Sequence, residues 1–170
     1  MTPADLEAAL RAHQAMVYSI AFHFFGGSGI AEEVAQDVFM QLYQTPEPPR
    51  SAAHLTAWLR RVTVHRCIDL IRQPARRHEV AVDRVPEVAA ETPMPDTLLR
   101  HQIRALVASL PERPRMVIVL RYSQDMDVKD ISETLDMPVR TVWSHLQRGV
   151  ALLRDKTAQL IREKDHASVR

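Results

Sequence analysis

A chain of 170 residues with 46% hydrophobic and 25% charged side chains has a globular rather than a disordered composition. Its length suits one ordinary domain or two small ones, and 4 glycines with 5% aromatics favour helices. The single Cys67 excludes an internal disulfide or a multi-cysteine zinc site, and a net charge of +1 excludes strong sequence-independent affinity for nucleic acid.

From the N-terminus, Leu6, Leu10, Val17, Ile20 and Phe24 mark one stripe of a helix over 5–25. The run "FGGSG" at 25–29 breaks it. A second helix is predicted over 30–43, with Val34, Val38 and Leu42 inward. The loop "TPEPPRS" ends on Ser51, a helix N-cap. A longer helix over 52–72 carries Leu55, Trp58, Leu59 and Val62, then Val64, Cys67, Ile68 and Ile71. That shift of stripe predicts a kink or break near residues 63–66. Cys67 lies on the inner stripe and reads as a small buried hydrophobe.

Residues 79–96, "EVAVDRVPEVAAETPMPD", set Arg84 against Glu79, Asp83, Glu87, Glu91 and Asp96 and hold three prolines. They predict a flexible acidic linker. Beyond it Leu99, Ile103, Leu106 and Leu110 mark a helix, stopped by "PERP". "RMVIVLRY" at 115–122 predicts a short, largely buried helix, and the neighbouring helices argue against the strand that its length permits.

In "VKDISETL", Val128, Ile131 and Leu135 share a face. "DMP" follows, with Asp136 able to adopt a left-handed backbone and Pro138 suited to starting the next helix. The layout is a helix-turn-helix, whose second helix can enter a DNA major groove. At about 100° per residue, Val139, Val142, Leu146, Val150 and Leu153 form its inner arc, with Trp143 at the edge. Arg140, Thr141, Ser144, His145 and Arg148 fall on the opposite, DNA-facing side. Trp143 is expected to pack against the preceding helix or the other module; contact with DNA or a protein partner is the alternative.

The chain is thus predicted all-α: two small helical domains joined by a flexible acidic linker, the second ending in the helix-turn-helix. The boundaries are an N-terminal domain 1–78, a linker 79–96, a C-terminal domain 97–163 and a tail 164–170. The eight histidines are scattered, and no HExxH, CxxC, P-loop or GxSxG motif occurs. No enzymatic activity, cofactor or metal site is predicted. No stretch approaches the roughly 18 apolar residues of a membrane span. The N-terminus, with Asp5 and Glu7, does not read as a signal peptide. The predicted location is cytoplasmic.

The segments "LPERPRMVIVLRY" and "ISETLDMPVRTVWSHLQR", within residues 103–154, resemble the C-terminal promoter-binding domain of bacterial RNA polymerase sigma factors. The closest group is the extracytoplasmic-function sigma factors. "AEEVAQDVFMQLY" at 31–43 and "AWLRRVTVHRCIDLIR" at 57–72 resemble their polymerase-clamp helix and their minus-ten segment. The resemblance implies core RNA polymerase, promoter DNA and an anti-sigma factor as partners. It implies Glu33, Gln36 and Asp37 as polymerase-binding residues. It implies Arg60, Arg61, His65, Arg66, Asp69 and Arg72 at the minus-ten element, with His65 where relatives have Asn. At the minus-thirty-five element it carries over Ser144 and Arg148, while Arg140, Thr141 and His145 rest on their place in the helix. Trp143 and His145 stand where relatives commonly have basic residues. A stand-alone helix-turn-helix regulator and a sigma-like decoy that binds an anti-sigma factor are the competing readings.

Overall fold

The computed structural model describes residues 1–73 and 95–168. Seven helices and no strand occur among them: α1 Pro3–Phe25, α2 Ser28–Gln44, α3 Ala52–Arg72, α4 Pro95–Ala108, α5 Glu112–Tyr122, α6 Val128–Leu135 and α7 Val139–Ser168. The linker expected at 79–96 lies outside the described residues, apart from Pro95 and Asp96, which open α4.

Local chemistry sets each boundary. Thr2 and Asp5 form a reciprocal capping box at the start of α1, with Asp5 N–H donating to Thr2 Oγ1 at 3.2 Å. Gly26 ends α1 at φ +83°, where an L side chain is strained. A Cβ on Gly26 would also stand 3.1 Å from Ala108 Cβ, so glycine lets the end of α4 approach closely. Ser51 caps α3 by accepting from His54 N–H at 3.2 Å.

The first module packs α1 on both α2 and α3. Val17, Ile20, Phe24, Val34, Leu42, Leu59 and Val64 are wholly buried. No break occurs near 63–66: α3 is one continuous helix. Its second half is buried on two sides, by α1 and α2 and by the second module, so adjacent Thr63 and Val64 are both inside. Thr63 keeps its hydroxyl satisfied within the helix by donating to Leu59 O at 2.7 Å. Burial pushes the Cys67 thiol well above its usual range, as befits a structural cysteine.

In the second module α5 is the axle. Pro114 through Leu120 are all buried, so this stretch is covered on every side, the charged Arg115 included. The stripe expected for α4 is only half covered. Leu106 is partly buried and Leu110 buried, whereas Leu99 and Ile103 are 53% and 51% exposed. They line an open groove of about 790 Å³ with Leu160 and Ile161 of α7, which lies too far off to bury them.

The turn between α6 and α7 is tied from both sides. Asp136 has φ 49° and ψ 52°, and its N–H donates to Ser132 O. Ser132 Oγ donates to Met137 O at 2.6 Å. Asp127 caps α6 by accepting from Asp130 N–H at 2.8 Å.

The two modules are not separate bodies. α4 and α5 rest on α1, and α5 and α6 rest on α3. Arg115 joins them from within: it is 6% exposed, stacks on the Phe24 ring at 4.9 Å and donates to Phe24 O.

Candidate nucleic-acid and polymerase interfaces

Helix α3 presents Arg61, His65, Asp69 and Arg72 at i, i+4, i+8 and i+11, all exposed on one stripe. Arg60 and Arg66, expected at the same interface, turn away from it. Arg66 donates through Nε to Asp37 Oδ2 at 2.8 Å. A residue expected to meet DNA is therefore paired with one expected to meet polymerase. Arg60 is half-buried, and its Nε is sealed from solvent without a hydrogen-bond partner among the described residues. It borders a cleft of about 580 Å³ between α3 and α6, lined also by Trp58, Arg61, Asp130 and Glu133.

Both ends of the α3 stripe are pinned to the second module. Arg61 donates to Glu133 O in α6 at 2.8 Å. Arg72 clasps Glu112 of α5, with Nε to Oε1 at 3.1 Å and Nη2 to Oε1 at 2.6 Å. That carboxylate favours the charged guanidinium. The Arg72–Glu112 pair is substantially exposed and screened by solvent, so it holds the modules loosely.

Of the α2 residues expected to bind polymerase, Gln36 is exposed, while Glu33 and Asp37 are half-buried. They share a helix face at i, i+3 and i+4, opposite the buried Val34, Val38 and Leu42.

The exposed face of α7 is rotated from the one read in the sequence. Arg140, Ser144 and Arg148 are exposed as expected, but Thr141 and His145 are half-buried on the flank toward α5. The inner side is Val142, Leu146 and Gly149. A Cβ on Gly149 would lie 2.8 Å from Ile118 Cγ1, so glycine allows α7 to sit closely on α5. Val139, placed inside by periodicity, is 42% exposed. Trp143 is 50% exposed, which overturns its expected packing against another helix. Gln147 is exposed beside it and escaped the sequence reading, although it stands one turn after Trp143.

Burial, then the positive charges of Arg113 and Arg148, hold the His145 imidazole below its usual range and favour the neutral ring. With the folded pKa lowered, the unfolded chain binds more protons in that window, so stability falls as pH drops. The stability difference between wild type and His145→Gln is expected to shift against wild type as pH falls through and below 6.5. Urea titrations of both proteins across that range measure it, and a pH-independent difference would contradict it.

The N-terminal helices match the model of Sigma-70 region 2 over residues 9–77, and the C-terminal ones match that of Sigma-70, region 4, over residues 100–153. The chain belongs to the extracytoplasmic-function sigma factors. It is 29% identical over 159 residues to the ECF RNA polymerase sigma factor SigE of Mycolicibacterium smegmatis, covering 88% of this chain and 60% of that protein. With SigW of Bacillus subtilis the identity is 27% over 157 residues, covering 85% and 84%. The sigma factor RpoE of Bartonella quintana, solved in complex with the anti-sigma factor NepR, superposes with a TM-score of 0.68 at 18% identity, covering 89% of this chain and 95% of that one. That likeness shows the shared fold. Sigma factors are transcription regulators rather than enzymes, and their function is promoter recognition. No helix of this sigma factor, among the described residues, is long and apolar enough to cross a membrane.

Proposed function

We propose that this sigma factor docks on core RNA polymerase through Glu33, Gln36 and Asp37 of α2 and reads a promoter at two places. The domain division is 1–78 and 97–163 about the 79–96 linker. The α3 stripe of Arg61, His65, Asp69 and Arg72 meets the minus-ten region, with Arg60 and Arg66 joining once their present contacts open. The α7 face of Arg140, Ser144 and Arg148, flanked by Thr141 and His145, meets the minus-thirty-five element. One observation carries this reading: no carboxylate occurs from Met137 to Arg154, where Arg140, Arg148 and Arg154 all stand exposed. Such a helix complements a phosphate-lined groove.

In this reading the polymerase performs the chemistry, and the sigma factor works with it in the cytoplasm without a cofactor of its own. Because Arg61 and Arg72 are held by the second module, that module leaves α3 before they reach DNA. An anti-sigma factor, as bound by the matched RpoE, would have the two-module arrangement as its target. The exposed Trp143 supports a second reading, a decoy that occupies an anti-sigma factor without using DNA.

Transcription in vitro separates them. Full-length chain is added to sigma-free core polymerase with fragmented genomic DNA of the source organism. Discrete new start sites are expected, and Arg140→Ala should weaken the dominant promoter by ~1–3 kcal/mol, the loss of one base contact. Core binding without transcripts would favour the decoy. Absence of core binding would overturn the α2 assignment.

A further inference from the structure

Val139 and Trp143 stand one turn apart near the start of α7, 42% and 50% exposed. Arg140, Ser144 and Gln147 are exposed beside them. Ser144 Oγ donates back to Arg140 O at 3.1 Å, so the polar row is partly ordered already. The apolar pair therefore forms one edge of a face whose other members are polar or cationic, with no carboxylate within it.

The first residues of a recognition helix are those that reach base edges in the major groove. That groove exposes one kind of apolar group, the C5-methyl of thymine. A lysine or arginine at position 143 has two kinds of partner in the groove, a phosphate, which is blind to sequence, and a guanine edge. An indole has no charge for a phosphate and gains most by covering apolar surface. We infer that Trp143, with Val139 one turn before it, determines minus-thirty-five specificity by packing on thymine methyl groups next to the base pair that Arg140 contacts. This rests on the promoter-binding reading of α7 and goes beyond it by naming the base chemistry. Two consequences follow from exchanging a cation for an indole. Phosphate contacts are fewer, so binding is less salt-dependent, and base discrimination at the contacted positions is sharper.

The test uses holoenzyme, assembled from the full chain and core polymerase, on the promoter that genomic transcription identifies. Each thymine of the minus-thirty-five element is replaced singly by deoxyuridine, which removes only the methyl group. With wild type, one or two replacements should weaken binding about fourfold each, the effect of one buried carbon. With Trp143→Ala those replacements should have no effect, and Trp143→Leu should retain part of it. Trp143→Lys should lose the methyl preference and steepen the logarithmic salt dependence by about one unit. Circular dichroism confirms that the variants keep their helices. Deoxyuridine replacements without effect on wild type, or equal effects on wild type and Trp143→Ala, overturn the inference while the sigma function stands. So does a Trp143→Ala variant that keeps its base preference and loses only a purified anti-sigma factor. Failure of wild type to initiate anywhere removes the promoter reading of α7 and this inference together.

Discussion

Replacing Arg115 by methionine is expected to cost about 3 kcal/mol of stability and to loosen the two modules from each other. Arg115 is 6% exposed and donates to Leu110 O through Nε at 3.0 Å and Nη2 at 2.6 Å. Its Nη1 donates to Phe24 O at 3.2 Å. Phe24 lies in the last turn of α1, whose carbonyls have no partner within their own helix. The guanidinium thus closes the end of α1 and the α4–α5 turn together. Methionine retains much of the stem and its packing, but strands both carbonyls away from water. Each hydrogen bond to a charged donor contributes ~1.5–3 kcal/mol, and the loss is offset only partly by sparing the burial of a charge. Urea unfolding should show a lower midpoint. Hydrogen exchange should show faster opening of α1 and α5 than of the interior of α2. An unchanged midpoint would show that the bridge contributes no net stability. Because the bridge favours the closed arrangement, the same variant should release Arg61 and Arg72 more readily from Glu133 and Glu112, even as it weakens the fold.

Gly149→Val should cost about 3 kcal/mol, near 8 °C in melting temperature for a chain of this size. The Cβ would fall 2.8 Å from Ile118 Cγ1, 3.2 Å from Ile118 Cδ1 and 3.4 Å from Pro114 O. Ile118 is itself buried and its helix is packed on every side, so neither partner can retreat cheaply. Gly149→Ala is a milder case. There a gain of ~1 kcal/mol in helix propensity opposes the clash, and the two nearly cancel. Combining Gly149→Val with Ile118→Ala should recover part of the loss, because the deleted Cγ1 is the atom in the way. Calorimetry of the two single variants and the double variant measures that coupling; additive losses would place the damage elsewhere. Since this contact seats α7 on α5, Gly149→Val should also weaken promoter binding.

Much of this molecule was legible as a string. The 3.6-residue period marked the helices that bury a stripe, such as α1 and α2, while α5, buried on every side, was read as a helix from its neighbours. Ser51 and Gly26 acted where capping chemistry places them, through a hydroxyl acceptor and a positive φ. Asp136 adopted the left-handed backbone that the helix-turn-helix turn demands. Period alone misled wherever a second surface decided burial. In α3 the shifted stripe meant two covering partners, not a broken helix. In α4 Leu99 and Ile103 kept the helical period but lacked a neighbour close enough to bury them.

What the sequence by itself determined was the set of helices, the helix-turn-helix and the family, all of which depend on residues close together in the chain or on motifs in a set order; α4 begins inside the expected linker and α7 runs on to Ser168 through most of the expected tail. What only the tertiary structure decided was which side of each helix meets water and which charges meet each other. The inner arc of α7 is broad enough in the sequence to admit Val139 and shelter Trp143. Where α5 and the end of α6 actually lie leaves both exposed and turns His145 inward. Likewise, 29 residues separate Arg66 from Asp37 and 40 separate Arg72 from Glu112. No local preference couples such pairs. They meet because the buried faces of the helices bring them together, with surface charges settling onto whatever partner the packing supplies.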